Sequence, residues 1–325
     1  MTIPESVRNL PDMLKETYDL VAQVPRGMVT TYGEVAKALG DIVASRYVGL
    51  AMSMNDDIVR VPCRRVIQSD GSIGGYTGGG PKKKIRLLRD EGINIQGMKV
   101  VDFEDILFKD FESDHPLRDL RDRQRKMKRK LVTSHSRQEF ERVAGVDVAY
   151  IDDRAFAAMV VFDLETGVEI GRHVVRGDAT FPYIPTYLAF REIPTVAPLM
   201  EMIDDRTVVM YDGNGILHPE GFGIASHVGV SFDIPTIGVA KRLLCGEVSH
   251  VRREGFQKVE LKGKVMGFAL SAKDSGNPVY VSIGHKLSFP QVKAITAKFS
   301  QYRVPEPTRQ AHLAAEAARQ GTNNK

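Results

Sequence analysis

Cysteine is scarce in this sequence: Cys63 and Cys245 are the two among 325 residues. Two distant thiols suggest neither a disulfide framework nor a zinc cluster. Long apolar runs are also missing. No stretch approaches the roughly 20 residues needed to span a bilayer. The opening MTIPESVRNLPDMLKETYDL mixes acids with bases and has no signal-peptide apolar core. The expectation is a cytoplasmic protein without membrane contact. No internal repeat is visible. Charge of one sign is not in large excess either, with a net of +4, so composition alone says little about nucleic acid.

The distribution of charge says more. Arg118–Lys130 (RDLRDRQRKMKRK) holds eight basic and two acidic residues, a net of +6 that exceeds the whole chain's +4. Such a run is ordinarily a solvated helix face. A surface that tracks phosphates is the alternative, and the run by itself does not choose between them. With 42% hydrophobic and 26% charged residues, the chain can form packed cores. Its length predicts two domains, with boundaries at 1–108, a linker at 109–117, and 118–325.

The first part reads as mostly helical. Residues 12–24 carry apolar positions at helical spacing. Thr31 followed by Glu34 predicts a capping box opening YGEVAKAL. Gly40 ends that helix, and Ser45–Met52 begins another, a helix-turn-helix pattern that on its own binds nothing in many proteins. VRVPCRRVIQ reads as a β-rich run, and Lys82–Asp90 as a closing helix. The second part changes character. FERVAGVDVAY, RAFAAMVVFDL and GVEIGRHVV are successive strand candidates. LAFREIPTVAPLMEMI is helical in period but interrupted by Pro194. RTVVMYDGNG and IPTIGVAK are further strands, with the helix IASHVGVSFD between them. Strands mixed with alternating helices imply an α/β sheet. The tail after Arg309 reads as an Ala-rich helix fraying into GTNNK.

Cys63 lies in Val61-Pro62-Cys63-Arg64-Arg65-Val66. A buried, inert thiol is common, but two adjacent guanidiniums favour the thiolate, which is the nucleophilic form. The region from Val24 to Gly92 resembles the active-site domain of O6-alkylguanine-DNA alkyltransferases. Their Pro-Cys-His-Arg-Val signature stands here as Pro62-Cys63-Arg64-Arg65-Val66, preceded by PRGMVTTYGEVAKALG and SRYVGLAMSMN and followed by GGYTGGGPKKKIRLLRDEG. The resemblance implies a winged helix-turn-helix-like fold and a Cys63 that accepts the alkyl group irreversibly. It implies that Arg46 intrudes into the base stack and that Tyr32 helps rotate the nucleotide out. Asn55 would brace the site, Tyr76 and Thr77 would line the base pocket, and Glu91 would be the orienting carboxylate. Flipping is needed because a thiolate cannot reach a stacked base. Two departures stand out. Arg64 replaces the histidine, and a guanidinium cannot serve as the base. The family's separate amino-terminal domain is missing.

Asp147 lies inside a strand, Glu192 on a helix, and Asp212 at a strand end. Carboxylates from separate elements can converge on a hard cation, although each could equally be a cap or surface residue. Residues 115–315 resemble endonuclease V through GVDVAY, FPYIPTYLAFRE, YDGNGILHPEGFGIASHVGVSFDIPTIGVAK, SIGHKLSF and VPEPTRQAH, in that order. The resemblance implies a ribonuclease H-like mixed α/β core. It implies Mg²⁺, with Mn²⁺ as a possible substitute, on Asp147, Glu192 and Asp212, and Lys241 steadying the phosphate or attacking water. His285 would lie near the metal, and His218 and His227 near the scissile strand. Pro182-Tyr183-Ile184-Pro185 would be the wedge that opens the duplex. Thr186 stands where the family has glycine, and Asn214 where histidine is common. The implied function is bifunctional repair of double-stranded DNA: alkyl transfer from O6-alkylguanine to Cys63, and incision on the 3′ side of hypoxanthine. No obligatory protein partner is evident. Two alternatives are an N-terminal half that only senses lesions, and a nuclease acting on inosine-containing RNA.

Overall fold

A computed structural model describes residues 3–134, 139–249, 255–271 and 277–323. The chain divides into two compact units. The N-terminal unit comprises residues 10–122 with 181–185, and the C-terminal unit comprises the first nine residues, 123–180 and 186–325. The expected linker at 109–117 therefore lies inside the N-terminal unit. There Gln23 holds Glu112 through two hydrogen bonds, and Leu117 N donates to Leu39 O.

The N-terminal unit begins with α1 (Met13–Ala22), capped by the Asp12 carboxylate, which accepts from Leu14 N and Lys15 N. The short β1 (Thr30–Thr31) leads into α2 (Tyr32–Ala38). Thr31 accepts from Glu34 N at 3.1 Å, as a cap requires. The reciprocal half of the expected box is replaced by an ion pair, because Glu34 turns to Lys37 instead. α3 (Ser45–Ser53) completes the helix-turn-helix. The β-rich reading of VRVPCRRVIQ is corrected. Pro62 supplies no N–H for a ladder, and Cys63–Arg65 forms a 3-10 turn before the two-residue β2 (Val66–Ile67), which pairs with β1 in parallel. α4 (Gly80–Asp90) starts with Pro81 in its first turn, and Gly92, just past its Glu91 cap, turns the chain away at φ +89°. β3 (Ile95–Gln96) and β4 (Lys99–Val100) form a small hairpin, and α5 (Pro116–Lys128) leads the chain onward.

The C-terminal unit is built on a nine-stranded sheet, counted among the described residues. β5 (Arg142–Ile151), β6 (Arg154–Asp163) and β7 (Glu169–Asp178) are an antiparallel meander. α6 (Leu188–Met200) runs through Pro194 and Pro198 without ending, so tertiary packing overrides the expected break. β8 (Thr207–Asp212), α7 (Ile224–Phe232) and β9 (Thr236–Ala240) follow, and β5, β8 and β9 are mutually parallel. β10 (Glu247–Val248), β11 (Gly255–Leu261), β12 (Lys264–Ser271) and β13 (Val279–His285) extend the sheet beyond β9 as antiparallel neighbours. α8 (Phe289–Lys298) and α9 (Glu306–Asn323) close the unit. α9 begins earlier than the composition suggested and takes in Gly321 and Thr322. The last two residues of the expected frayed tail lie outside the described ones.

One glycine fixes how α9 lies on the sheet. A Cβ at Gly145 of β5 would collide with the backbone carbonyl of Pro307. Only a bare backbone lets the helix approach this strand so closely. Two residues further along β5 is Asp147, and α9 brings His312 to it.

Candidate active sites

The parallel register places the acids. Val146 pairs with Tyr211, so Asp147 and Asp212 leave neighbouring strands at the same level. Asp212 pairs with Val239, and Lys241 follows just past the end of β9. Lys241 Nζ lies 2.5 Å from Asp212 Oδ2. His312 Nδ1 lies 2.6 Å from Asp147 Oδ2. One ligand atom each from Asp147, Asp212 and His312 fall within 4.8 Å of one another. Two carboxylates and one imidazole at this spacing form a donor set for a divalent cation rich in oxygen ligands.

Glu192, on α6, is buried beside them. Its Oε2 accepts from the Tyr211 hydroxyl at 2.8 Å. Burial pushes its pKa up to about 8, and the charges of Asp147 and Asp212 add to the rise. Asp147 is also raised, first by burial and then by Asp212, against the pull of His312 and Lys241. Carboxylates that raise one another's pKa across a small space are storing repulsion that a cation relieves.

The histidines expected near this centre divide. His312 was missed, although it closes the VPEPTRQAH motif; its partner Asp147 is 165 residues away. His285, expected near the metal, is not part of the clustered donor set. It pairs with Thr236 at the opening of β9, whereas Asp212 lies level with Val239 near that strand's end. Its Nδ1 accepts from Val132 N at 3.1 Å, and Nε2 faces Asp233 at 3.5 Å. His227, expected near the scissile strand, lies in the interior. It is fully buried on α7 between Phe190 and Phe222, with neither ring nitrogen bonded among the described residues. Burial drives its pKa down to about 3, so the ring is neutral. His218 is buried too, and its Nδ1 accepts from Glu220 N at 3.2 Å.

In the segment 182–185, Ile184 is buried and Tyr183 is 62% exposed. Thr186 follows at φ +69°, a region costly for a β-branched residue. The strain falls where the resemblance expects glycine. Thr186→Gly should therefore raise stability by about 1 kcal/mol. Thermal unfolding of the two proteins checks this, and a lower midpoint for the glycine variant would contradict the strain.

The thiol site lies in the N-terminal unit. Cys63 is 5% exposed and opens on a cavity of about 250 Å³ whose walls include Tyr32, Gly49, Met52, Ser53, Tyr76 and Thr77. Asn55 donates to Val61 O at 2.9 Å, and Cys63 N donates to the same carbonyl at 2.7 Å. Asn55 thus holds the loop that carries the thiol. Arg46 is exposed on α3, three residues before Gly49 and on the helix face that borders the cavity. Burial raises both Tyr32 and Tyr76, and negative charge at Cys63 would raise them further.

Arg64 is engaged by a carboxylate and a backbone carbonyl. Its Nε donates to Glu91 Oε1 at 2.6 Å, and Arg65 donates to the same carboxylate at 2.8 and 3.1 Å. Burial would raise Glu91, but the two guanidiniums outweigh it and hold the carboxyl below its ordinary range. Lys84, which the sequence reading passed over, is fully buried on α4. Its Nζ donates to Val66 O at 2.6 Å and Gly75 O at 3.4 Å, tying the turn after Cys63 to the cavity wall. Burial lowers it to about 8, opposed by the attraction of Cys63.

The sheet and its acid–imidazole cluster define a nuclease-type unit, and the helix-turn-helix with its cavity thiol defines a second, group-accepting one. The Endonuclease V family profile matches residues 125–313. The profile for the 6-O-methylguanine DNA methyltransferase, DNA binding domain matches residues 12–93. A bifunctional methyltransferase/endonuclease of Picrophilus torridus is 35% identical over 93% of this chain and 95% of its own. One of Thermoplasma volcanium is 43% identical over 72% of this chain and 71% of its own. The Ciona intestinalis Endonuclease V crystal structure, in complex with a 24mer DNA containing an inosine followed by a ribo-adenosine, superposes with a TM-score of 0.59. It is 25% identical and covers 64% of this chain and 100% of that one. The chain belongs to the bifunctional methyltransferase/endonuclease family, with an endonuclease V unit joined to an alkyltransferase DNA-binding unit. Among the described residues no helix is long and apolar enough to cross a membrane.

Proposed function

We propose that this chain repairs double-stranded DNA in two ways: it takes an alkyl group from O6-alkylguanine onto Cys63, and it cuts the strand 3′ to hypoxanthine with a divalent cation. The convergence of Asp147, Asp212 and His312, with Glu192 and Lys241 beside them, carries the nuclease reading. Mg²⁺ suits the oxygen-rich donors, and Mn²⁺ suits the set with its imidazole. The cation, when bound, supplies Lewis acidity and a nucleophilic water at neutral pH. Asp147, Asp212, Glu192 and His312 hold it. Lys241, released from Asp212, neutralises charge on the scissile phosphate. Tyr183 stacks at the opened lesion, and His218 supports the loop after β8. His285, buried at the irregular end of the β13–β9 pairing, supports the sheet rather than the chemistry.

In the alkyl transfer, the Cys63 thiolate attacks the alkyl carbon, the S–C bond forms as the C–O6 bond breaks, and the departing guanine anion takes up a proton from solvent. Arg46 fills the gap in the stack, and Tyr32, Tyr76 and Thr77 enclose the extruded base. The presence of the thiol favours transfer over mere sensing. Duplexes carrying labelled O6-methylguanine or deoxyinosine, with a matched inosine RNA, test the whole reading. Label on the protein and a nick in the inosine DNA are expected; cutting of RNA alone would replace the substrate.

The raised Glu192 gives a pH signature. Between about pH 4.5 and 8 the folded apoprotein keeps a proton on Glu192 that the unfolded chain has lost. This group's contribution to apoprotein stability is therefore greatest below pH 4.5 and is lost as pH rises to about 8. The same proton must leave when the cation binds, so Mg²⁺ affinity should strengthen with pH up to about 8 and then level off. Calorimetry in buffers of differing ionisation enthalpy should report proton release; binding without release near pH 7 would contradict it.

A further inference from the structure

Within the C-terminal unit, the first described residues fold against α5 and the end of α7. Ser6 Oγ meets Ser231 Oγ at 3.1 Å, and Arg123 donates to Arg8 O at 2.9 Å. Between these elements lies an open cleft of about 750 Å³. Arg8, Arg123, Lys126 and Lys130 line it, against a single acid, Glu5. Among the described residues none of the four cations forms an ion pair, while elsewhere Lys37, Arg64, Arg65 and Arg121 all do. Positions 123 and 126 are spaced to share one face of α5, and Lys130 lies in the turn just after it. At a rise of 1.5 Å per residue they extend over roughly 10 Å, enough to face two successive phosphates of a strand. Met127 and Val230 give the floor an apolar character. Four cations without ion-pair partners lining one open cleft suit a linear polyanion.

We infer that this cleft is a second DNA-binding site, a track for duplex backbone phosphates separate from the incision centre. The inference rests on the DNA reading above and deepens it. Separation follows from α7. Its first residues adjoin the loop after Asp212, where Ala225 N donates to Asn214 O at 3.0 Å, and the cleft lies at its other end. The helix has nine residues, or about 14 Å at 1.5 Å per residue. That distance is about four base-pair steps of 3.4 Å. The track therefore grips DNA flanking the lesion, without reading sequence. It also gives the basic run of α5 a role that a solvated face would not have.

The test uses the full chain carrying Lys126→Glu and Lys130→Glu. Both side chains are exposed, so folding is unaffected, and thermal unfolding verifies that. Fluorescence anisotropy with a lesion-free 40-base-pair duplex is followed over a salt series. The variant should bind at least tenfold more weakly at 0.1 M salt, with the slope of log K against log salt reduced by about 2. Its incision of inosine duplex at subsaturating concentrations should fall in parallel with the affinity. Wild-type affinity and slope in the variant would overturn the inference. So would an equal loss from Lys262→Glu with Lys264→Glu, on the exposed β11–β12 turn, since net charge alone would then explain the binding. Absence of incision by the wild type would instead count against the nuclease reading, so the two failures are distinguishable.

Discussion

Asp212→Ala should lower incision of an inosine-containing duplex by three orders of magnitude or more, on the order expected when a metal centre loses a ligand, while alkyl transfer stays at the wild-type rate. The substitution removes a donor from the cluster and also strands Lys241, whose ammonium is 2.5 Å from the carboxylate. His312→Ala should act on the same centre, since its imidazole completes the close set with Asp147 and Asp212. Single-turnover cleavage at saturating Mg²⁺ measures both. Incision within tenfold of wild type in Asp212→Ala would remove the cluster from the chemistry. Loss of alkyl transfer as well would show that the two units depend on each other.

Cys63→Ala should abolish transfer of label from O6-methylguanine completely, because no other group in the cavity is a comparable nucleophile, and it should leave incision unchanged. The more informative variant is Arg64→His. Arg64 is bound to Glu91 and cannot accept the thiol proton. A histidine at this position can, with Glu91 in reach to orient it and Arg65 still engaged on that carboxylate. A general base is worth about 10²–10⁴-fold in such steps, so the variant should transfer at least tenfold faster near neutral pH. A slower variant would mean that guanidinium charge is the better activator. Rapid-quench transfer of a labelled methyl group decides between them.

Much of the thiol site could be read from the chain because it is local. Cys63, Arg64, Asn55, Tyr76 and Glu91 fall within a span of 37 residues from Asn55 to Glu91, and the turn chemistry between them leaves few alternatives. Lys84 escaped notice because a lysine in KKKIRLLRD looks solvated. Only packing shows that one of three neighbours is buried. The acids of the second site were legible as acids inside or at the ends of strands. Their donor set was not, since His312 arrives on a helix that Gly145 admits to the sheet. His285 and His227 were named from motifs, whereas packing places both in the interior. A histidine in a conserved-looking motif can serve the core, and the motif does not say which way the ring faces. β11, β12, β13 and α8 were not anticipated at all; their alternation is irregular, with a register shift at Val259/Glu260.

The approach of α9 to β5 also orders events in time. Asp147 leaves the ribosome long before His312, with 165 residues between them. The segment matching the methyltransferase DNA-binding domain, by contrast, is finished by residue 93. A chain still being synthesised can carry the complete thiol motif while its incision centre lacks the imidazole. The donor set around Asp147 is therefore complete only once α9 has reached the sheet.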